Sequence, residues 1–555
     1  MSAGKNKRLR QQAFVFHKPL TNESPAKAGS RAYKPEGVSI HRQNKMFSRN
    51  LSVPDFMRRF FVSCTQISEA YGDEIRVRLA KNRPQKQVHE RLREDIKSER
   101  NYFTMSSTPS SKSQKMTEGN ITRLLVMFAL PLFVGNLFQQ FYNTVDSIVV
   151  GNFVSKTALA AVGSTDCIIN TIIGFFTGLS TGAGVVIAHS FGAGNNKALH
   201  RAVHTTIALT IVLSVIFTIA GLVLSPVFLQ LMDTPDDVLP EASQYLRIYF
   251  AGVSGLMLYN MGSGILRAVG DSRRPLYILI ICALGNIFFD LLFVIVFHAG
   301  VEGVAYATIL SQWISAVLVL AILTREKSSY HLIWKDLHIH KGTAMSIFRI
   351  GFPAGLQIAV TSFSNVFVQS YINHFGSSCM AGWTTYGKLD KFCLLPIQSI
   401  GLAVTTFVGQ NLGADNMKRA RKGTNVALLL SIATALILMA PVIIFAPLLA
   451  SLFNNDPDVL SYGVHFIRLM MPFYLAISFN QIFANALRGA GNSVTPMVIM
   501  MGSFIVFRQI YLYFISKYFN NITATALGYP LGWVLCSILL IIYYWKVGLN
   551  VKKKI

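Results

Sequence analysis

Twelve long apolar runs, nearly free of charge, restrict what this chain can fold into more than any other feature. They fall at about 123–149, 163–190, 203–230, 244–264, 276–298 and 303–323, then at about 346–371, 379–408, 424–452, 462–486, 496–516 and 524–546. Each approaches or exceeds the roughly 20 residues needed to cross the hydrocarbon of a bilayer. No water is available there to backbone amides and carbonyls, so every run must be helical. Charge excludes a soluble fold: Asp, Glu, Lys and Arg make up 14% of the chain, against roughly 25% in soluble domains. The expected fold class is an all-α membrane protein of twelve transmembrane helices, with the lipid bilayer as its surroundings.

The runs form two sets of six, and the sets are copies. Leu266-Arg267-Ala268-Val269-Gly270-Asp271-Ser272-Arg273-Arg274-Pro275 matches Leu487-Arg488-Gly489-Ala490-Gly491-Asn492-Ser493-Val494-Thr495-Pro496 at an offset of 221. The same offset relates Gly192-Ala193-Gly194-Asn195 to Gly413-Ala414-Asp415-Asn416, and Arg247 to Arg468. Near the start of each half, Ala129-Leu130-Pro131 faces Gly351-Phe352-Pro353, one residue out of register. Six spans per copy give parallel topology about a pseudo-twofold axis along the membrane normal. Repeats of this kind flank a cavity and rock between inward-open and outward-open states. Pro131 and Pro353 each remove a backbone donor and can bend the first helix of their half. The organisation expected is a basic extension (1–116), a first six-helix lobe (117–324), a linker (325–345), a second six-helix lobe (346–548) and a basic tail (549–555).

Loop charges set the orientation. Lys197, Arg201, Arg267, Arg273, Arg274, Arg325, Lys327, Lys335, Lys341, Lys418, Arg419, Arg421, Lys422 and Arg488 lie in every second loop, and Lys552, Lys553 and Lys554 close the series. Alternate loops carry Asp233, Asp236, Asp237, Glu241, Glu302, Asp456 and Asp458 instead. The positive-inside rule then puts both termini in the cytoplasm of a multi-pass cell-membrane protein. Residues 1–116 hold 24 Lys+Arg and 10 Asp+Glu with no spanning run. Such charge-rich stretches are usually solvated tails, and translation is expected to begin at Met105 or Met116. No nucleic acid and no obligate protein partner is expected. The six cysteines are scattered, so neither a disulfide framework nor a zinc site is indicated.

Charge inside a span costs roughly 2.5–3.5 kcal/mol on insertion scales and marks function by default. The first half places Asp146 in its first span and Asp290 in its fifth, with Asn286 one turn before Asp290 on the same face. Thr308, early in the sixth span, adds a hydroxyl. Two carboxylates, an amide oxygen and a hydroxyl suit a hard monovalent cation or a shared proton. No cofactor is expected beyond that sodium ion or proton. At the offset of 221, Phe507 and Tyr511 stand opposite Asn286 and Asp290, so the second half lacks the set. It carries Lys388, Asp390 and Lys391 in the eighth span and Arg508 in the eleventh; Asp390 paired with Arg508 or a neighbouring Lys would neutralise the buried charge. A structural clamp and a substrate-binding carboxylate both remain open for it. Further cavity candidates are Gln140, Tyr142, Asn143, Gln357, Asn365 and Gln369, with aromatic residues such as Phe138, Phe141 and Phe367 able to stack on flat cations. Gly178, Gly182 and Gly184 suit close helix packing.

Ala129-Leu130-Pro131, Asn136-Leu137-Phe138-Gln139-Gln140-Phe141-Tyr142-Asn143-Thr144-Val145-Asp146, Val150-Gly151 and Ala158-Leu159-Ala160-Ala161-Val162-Gly163 closely resemble the MATE (multidrug and toxic compound extrusion) family. So do the two Leu-Arg-x-x-Gly-(Asp/Asn)-Ser…Pro loops and Gln410-Asn411-Leu412-Gly413-Ala414. The resemblance covers about residues 117–548. It implies two lobes around a central cavity and antiport of amphipathic, often cationic, compounds against sodium or protons. It also implies a first-lobe cation site at Asp146, Asn286, Asp290 and Thr308, and coupling through a bend at Pro131. Two other classes compete. A flippase for a lipid or lipid-linked oligosaccharide would want a more cationic cavity, for which Lys388, Lys391 and Arg508 are available. An enzyme would need a metal cluster or nucleophile at membrane depth, and none is legible, so no catalytic activity is expected.

Overall fold

The computed structural model describes residues 115–550, apart from 232, 233, 236, 237 and 520. The basic extension up to residue 114 and the Lys552–Lys554 run lie outside the described residues. Twelve helices follow one another: α1 (Ile121–Phe153), α2 (Lys156–Gly192), α3 (Asn196–Leu231), α4 (Leu239–Ala268), α5 (Arg273–Val296), α6 (Gly300–Arg325), α7 (Lys341–Asn373), α8 (Ser377–Gly413), α9 (Met417–Ile444), α10 (Pro457–Gly489), α11 (Val494–Tyr518) and α12 (Ile522–Val547). Each covers most of one expected run, and the ninth run continues past α9 into a short helix, Ala446–Ser451. Eleven are long and apolar enough to cross a membrane by composition alone; α4 is the exception. It is packed between α2, α3 and α6 and buried along most of its length. Its neighbours cover most of it, while Gln244 and Arg247 lie exposed near its acidic-loop end. A short 3₁₀ turn, Trp334–Asp336, lies in the linker between the halves.

Within the first half α2, α3, α4 and α6 pack together and α5 joins α1 to α6; in the second, α8 packs on α9 and α10, and α10 on α12. The halves meet where helices lack side chains. Gly178 and Gly182 of α2 face Gly355 and Gly351 of α7: a Cβ on Gly178 would fall 2.1 Å from the Gly355 backbone nitrogen, and one on Gly182 would fall 2.5 Å from that of Gly351. Small residues one turn apart let two backbones touch, the usual way helices associate in lipid. Gly184, expected to do the same, faces ordinary van der Waals space instead.

Hydrogen bonds between the halves gather at the end that carries the basic loops. His189 Nε2 pairs with Gly489 O at 2.8 Å, and Gln410 Nε2 donates to Ala268 O at 2.8 Å. The Met116 amide donates to Gln410 Oε1 at 2.9 Å, and Arg419 donates to the carbonyls of Glu118 and Gly119. Met116 is buried with the first part of α1 in a cluster of second-half residues from α8, α9 and α10. The two halves are thus latched at the basic-loop end. α1 and α7 run unbroken through Pro131 and Pro353.

Candidate functional site

In the first half, α1 packs against α5 and α5 against α6. That packing brings Asp146, Asn286, Asp290 and Thr308 into one region from three helices. Asp290 is fully buried and Asn286 nearly so, and Asp146 lies close enough for the two carboxyls to interact. No protein donor reaches either Asp290 oxygen, and both polar atoms of Asn286 are buried without a partner. Thr308 Oγ1 spends its proton on Val304 O at 3.0 Å, so its lone pairs stay available. Two ionised carboxylates cannot face each other in a dry site without something positive between them. Buried polar atoms without partners are rare in native proteins. The donor set therefore fits a shared proton or a small hard cation carried as cargo, and the four residues chosen from the sequence do come together.

Next to this group lies a cavity of about 220 Å³ that the sequence did not disclose. Asn286, Thr308 and Tyr142 line one end of it, and Arg267, in the last turn of α4, lines the basic-loop end. Gln139, Asn260, Ser311, Gln312 and Ser315 lie between, and Leu402, Thr405 and Thr406 of α8 supply a wall from the opposite half. The missed signal was a run of hydroxyls and amides on α6 and α4, each unremarkable alone.

The second half holds its charges differently from the expectation. Asp390 pairs with neither Arg508 nor Lys388: its Oδ1 accepts from Tyr386 Oη at 3.1 Å and from Tyr474 Oη. Arg508 is buried, donates to Ser364 Oγ and Asn365 Oδ1 at 3.0 Å each, and stacks 4.5 Å above the Tyr529 ring. Among the described residues neither forms an ion pair: Asp390 is held by hydroxyls, and Arg508 by a hydroxyl, an amide and an aromatic face, its Nε left without a partner. Gln357 is also removed from the expected cavity group; it is buried and accepts from Arg488 Nη2 at 2.5 Å. Gln369 donates to Asn373 Oδ1, and Asn143, Phe141 and Phe367 are exposed. Phe141 lies 6.3 Å from Phe392, centroid to centroid, linking α1 to α8.

Among the described residues one metal-like cluster appears, His200, His204 and Asp336. His204 is already spent: Nδ1 pairs with His200 O at 2.8 Å and Nε2 accepts from the Ile333 amide at 2.9 Å. With Thr205 bonded to His338 O and the His340 amide, the cluster fastens the linker to α3.

The sequence profile of the MatE family matches residues 131–292 and again 353–514, more than half of the chain. The chain belongs to the MATE family. Two MATE relatives, both from Bacillus subtilis (strain 168), show how far the likeness runs. The probable multidrug resistance protein YpnP is 29% identical over 444 residues, 78% of this chain and 98% of its own. The probable multidrug resistance protein YoeA is 27% identical over 447 residues, 78% and 96% respectively. A solved outward-facing multidrug resistance MATE transporter of the MOP superfamily superposes with a TM-score of 0.74 at 22% identity, over 79% of this chain and 98% of that one. The protein is thus a multi-pass membrane transport protein with the two-lobed, twelve-helix MATE fold.

The MATE repeat also corrects the register used above. The two matches begin 222 residues apart and end 222 apart, whereas Arg267 and Arg488 are 221 apart. In α11 a π turn, Gly502–Phe507, stands ahead of Arg508; in α5 the π turn, Leu292–Val296, comes after Asp290. A π turn takes in one extra residue, so beyond it the offset is 222. Arg508, not Phe507, therefore occupies the place of Asn286, and Leu512 that of Asp290.

Proposed function

We propose that the chain is a cation-coupled antiporter that exports amphipathic, often cationic, small molecules across the cell membrane, its termini in the cytoplasm. The observation that carries this reading is the facing pair Asp146 and Asp290, with Asn286 and Thr308 beside it and no protein donor on Asp290. A proton or sodium ion taken up there from outside is exchanged for substrate in the central cavity, where Gln140, Tyr142, Asn143, Asn365, Gln369, Asp390 and the exposed phenylalanines offer polar and aromatic contacts. Binding that differs between the two open states is what couples ion to substrate. Pro131 and Pro353 are the positions at which the first helix of each lobe would bend. Relatives described as multidrug resistance proteins support the substrate class.

Ethidium extrusion from proteoliposomes, driven by an imposed sodium gradient and then a proton gradient, tests this. Extrusion with one gradient and none in Asp146→Asn is the expected result; wild-type rates in that variant would refute the site. One observation favours a second reading, transport of an anionic lipid or headgroup: Arg508 puts a fixed cation in the second lobe where the first has Asn286. Lipid scrambling by the reconstituted protein with no gradient-driven extrusion would select it.

A further inference from the structure

The two lobes carry the same Leu-Arg-x-x-Gly loop, but their arginines have different surroundings. Arg488 is buried; Nη1 donates to Asn485 Oδ1 at 3.1 Å, Nη2 to Gln357 Oε1, and Met500 Sδ lies 3.8 Å away. The offset of 221 puts Gly264 at the place of Asn485 and Leu279 at that of Met500. The offset of 222 that relates α1 to α7 puts Gly135 at the place of Gln357. Both amides that hold the second guanidinium are therefore glycines in the first lobe. Packing supports the alignment. A Cβ on Gly401 would fall 2.6 Å from Asn485 Nδ2, and a Cβ on Gly264 would fall 2.3 Å from Oγ of Ser180, the residue 221 before Gly401. Bulk has changed sides across this helix contact.

Beside Gly264 in the first lobe lies the cavity of about 220 Å³, lined from Asn286 and Thr308 to Arg267. Ser311 Oγ and Gln312 Oε1 in its wall are buried without a protein partner, as is Asn286 at its far end. Empty cavities in proteins are apolar; one of this size with several unsatisfied polar atoms holds water. Arg267 lines the opposite end and, among the described residues, donates no hydrogen bond to protein. The wall from α8 belongs to the other lobe, so rocking of the lobes opens or seals this space.

We infer that the cavity is an inner vestibule joining the coupling-ion site to the basic-loop side, and that the fixed charge of Arg267 guards it against cation leak. The inference rests on the reading of Asp146 and Asp290 as the coupling-ion site. A guanidinium does not deprotonate in proteins, so the barrier is permanent. Between low-dielectric walls its field reaches an entering cation while leaving water free to pass. The second lobe, without an acid pair, holds its equivalent arginine between Gln357 and Asn485.

The test is ion leak in proteoliposomes holding the full chain, without substrate, read with a trapped pH dye and with radioactive sodium. Arg267→Ala is expected to leak the coupling ion roughly tenfold faster than wild type. Arg267→Lys should restore tightness, and adding Asp290→Asn to Arg267→Ala should abolish the leak. An independent arm narrows the vestibule from its α6 wall with Ser311→Leu and Ser315→Leu together; substrate-driven ion exchange should slow severalfold in protein that stays monodisperse. A folded Arg267→Ala protein as tight as wild type, or a narrowed variant at full speed, overturns the vestibule. Intact coupled efflux in Asp290→Asn alone would instead remove the ion-site reading on which it rests.

Discussion

The two lobes share one backbone plan and carry opposite chemistry. At mid-membrane the first holds Asp146, Asn286 and Asp290, with no protein donor on Asp290; the second holds Arg508 at the place of Asn286, bonded to Ser364 and Asn365. At the basic-loop end the order is reversed in kind: Arg267 faces a cavity, and Arg488 is clamped by two amides. The comparison teaches that the fold does not fix the site. In each lobe a few side-chain volumes decide whether a polar centre is left open for a visitor or closed on itself, and open centres are where a transported ion can bind.

The sharpest way to break the contrast is Asp290→Asn, for which coupled efflux should fall to background while Arg508→Gln keeps gradient dependence; transport assays on matched amounts of folded protein check both. Next is the seam that both lobes share. Gly178→Ala puts a Cβ 2.1 Å from the Gly355 backbone, where no flexible side chain can yield. The form closed at the basic-loop end should lose about 3 kcal/mol. Spin-label distances between the α2–α3 and α8–α9 loops should then shift to the form open at that end.

A smaller effect separates the arginines. Arg488→Ala leaves Gln357 Oε1 buried without its donor and should cost about 2–3 kcal/mol, whereas Arg267→Ala, which lines the cavity, should stay within about 0.5 kcal/mol; thermal melts in detergent compare them. The smallest concerns the linker end of α6. Burial alone would raise the Glu326 carboxyl, but hydrogen bonds from Arg274 and Ser328 outweigh it and hold it below the usual glutamate range. A depressed carboxylate stabilises the fold above its unfolded pKa, and that contribution fades as pH falls through the folded value. Glu326→Gln should therefore lose about 0.5 kcal/mol at neutral pH, and its melting temperature should differ less from wild type in acid.

Spans, repeat and the grouping of the intramembrane acids were legible because each follows from strong local rules: hydrocarbon thickness, a fixed offset, and the cost of charge in lipid. α4 shows the limit of hydropathy, since a helix shielded by α2, α3 and α6 no longer needs an apolar surface. Asp390 and Gln357 are held by partners that spacing did not disclose: Tyr386 and Tyr474 for the first, Arg488 for the second. Phe507 and Tyr511 were set opposite Asn286 and Asp290, one residue out, because one π turn moves the register by a residue, and linear sequence carries no mark of that. The vestibule was invisible because its wall is assembled from single polar residues of several helices, α8 of the other lobe among them.

Ion release on substrate binding tests the central claim most directly. Ethidium is added to purified protein in weakly buffered detergent, and released protons, or sodium at an electrode, are counted. Wild type and Arg508→Gln should each release about one ion per ethidium bound, as reciprocal coupling requires, and Asp290→Asn none. Undiminished release from Asp290→Asn would contradict the account, because the coupling ion would then bind somewhere other than the first-lobe acid pair.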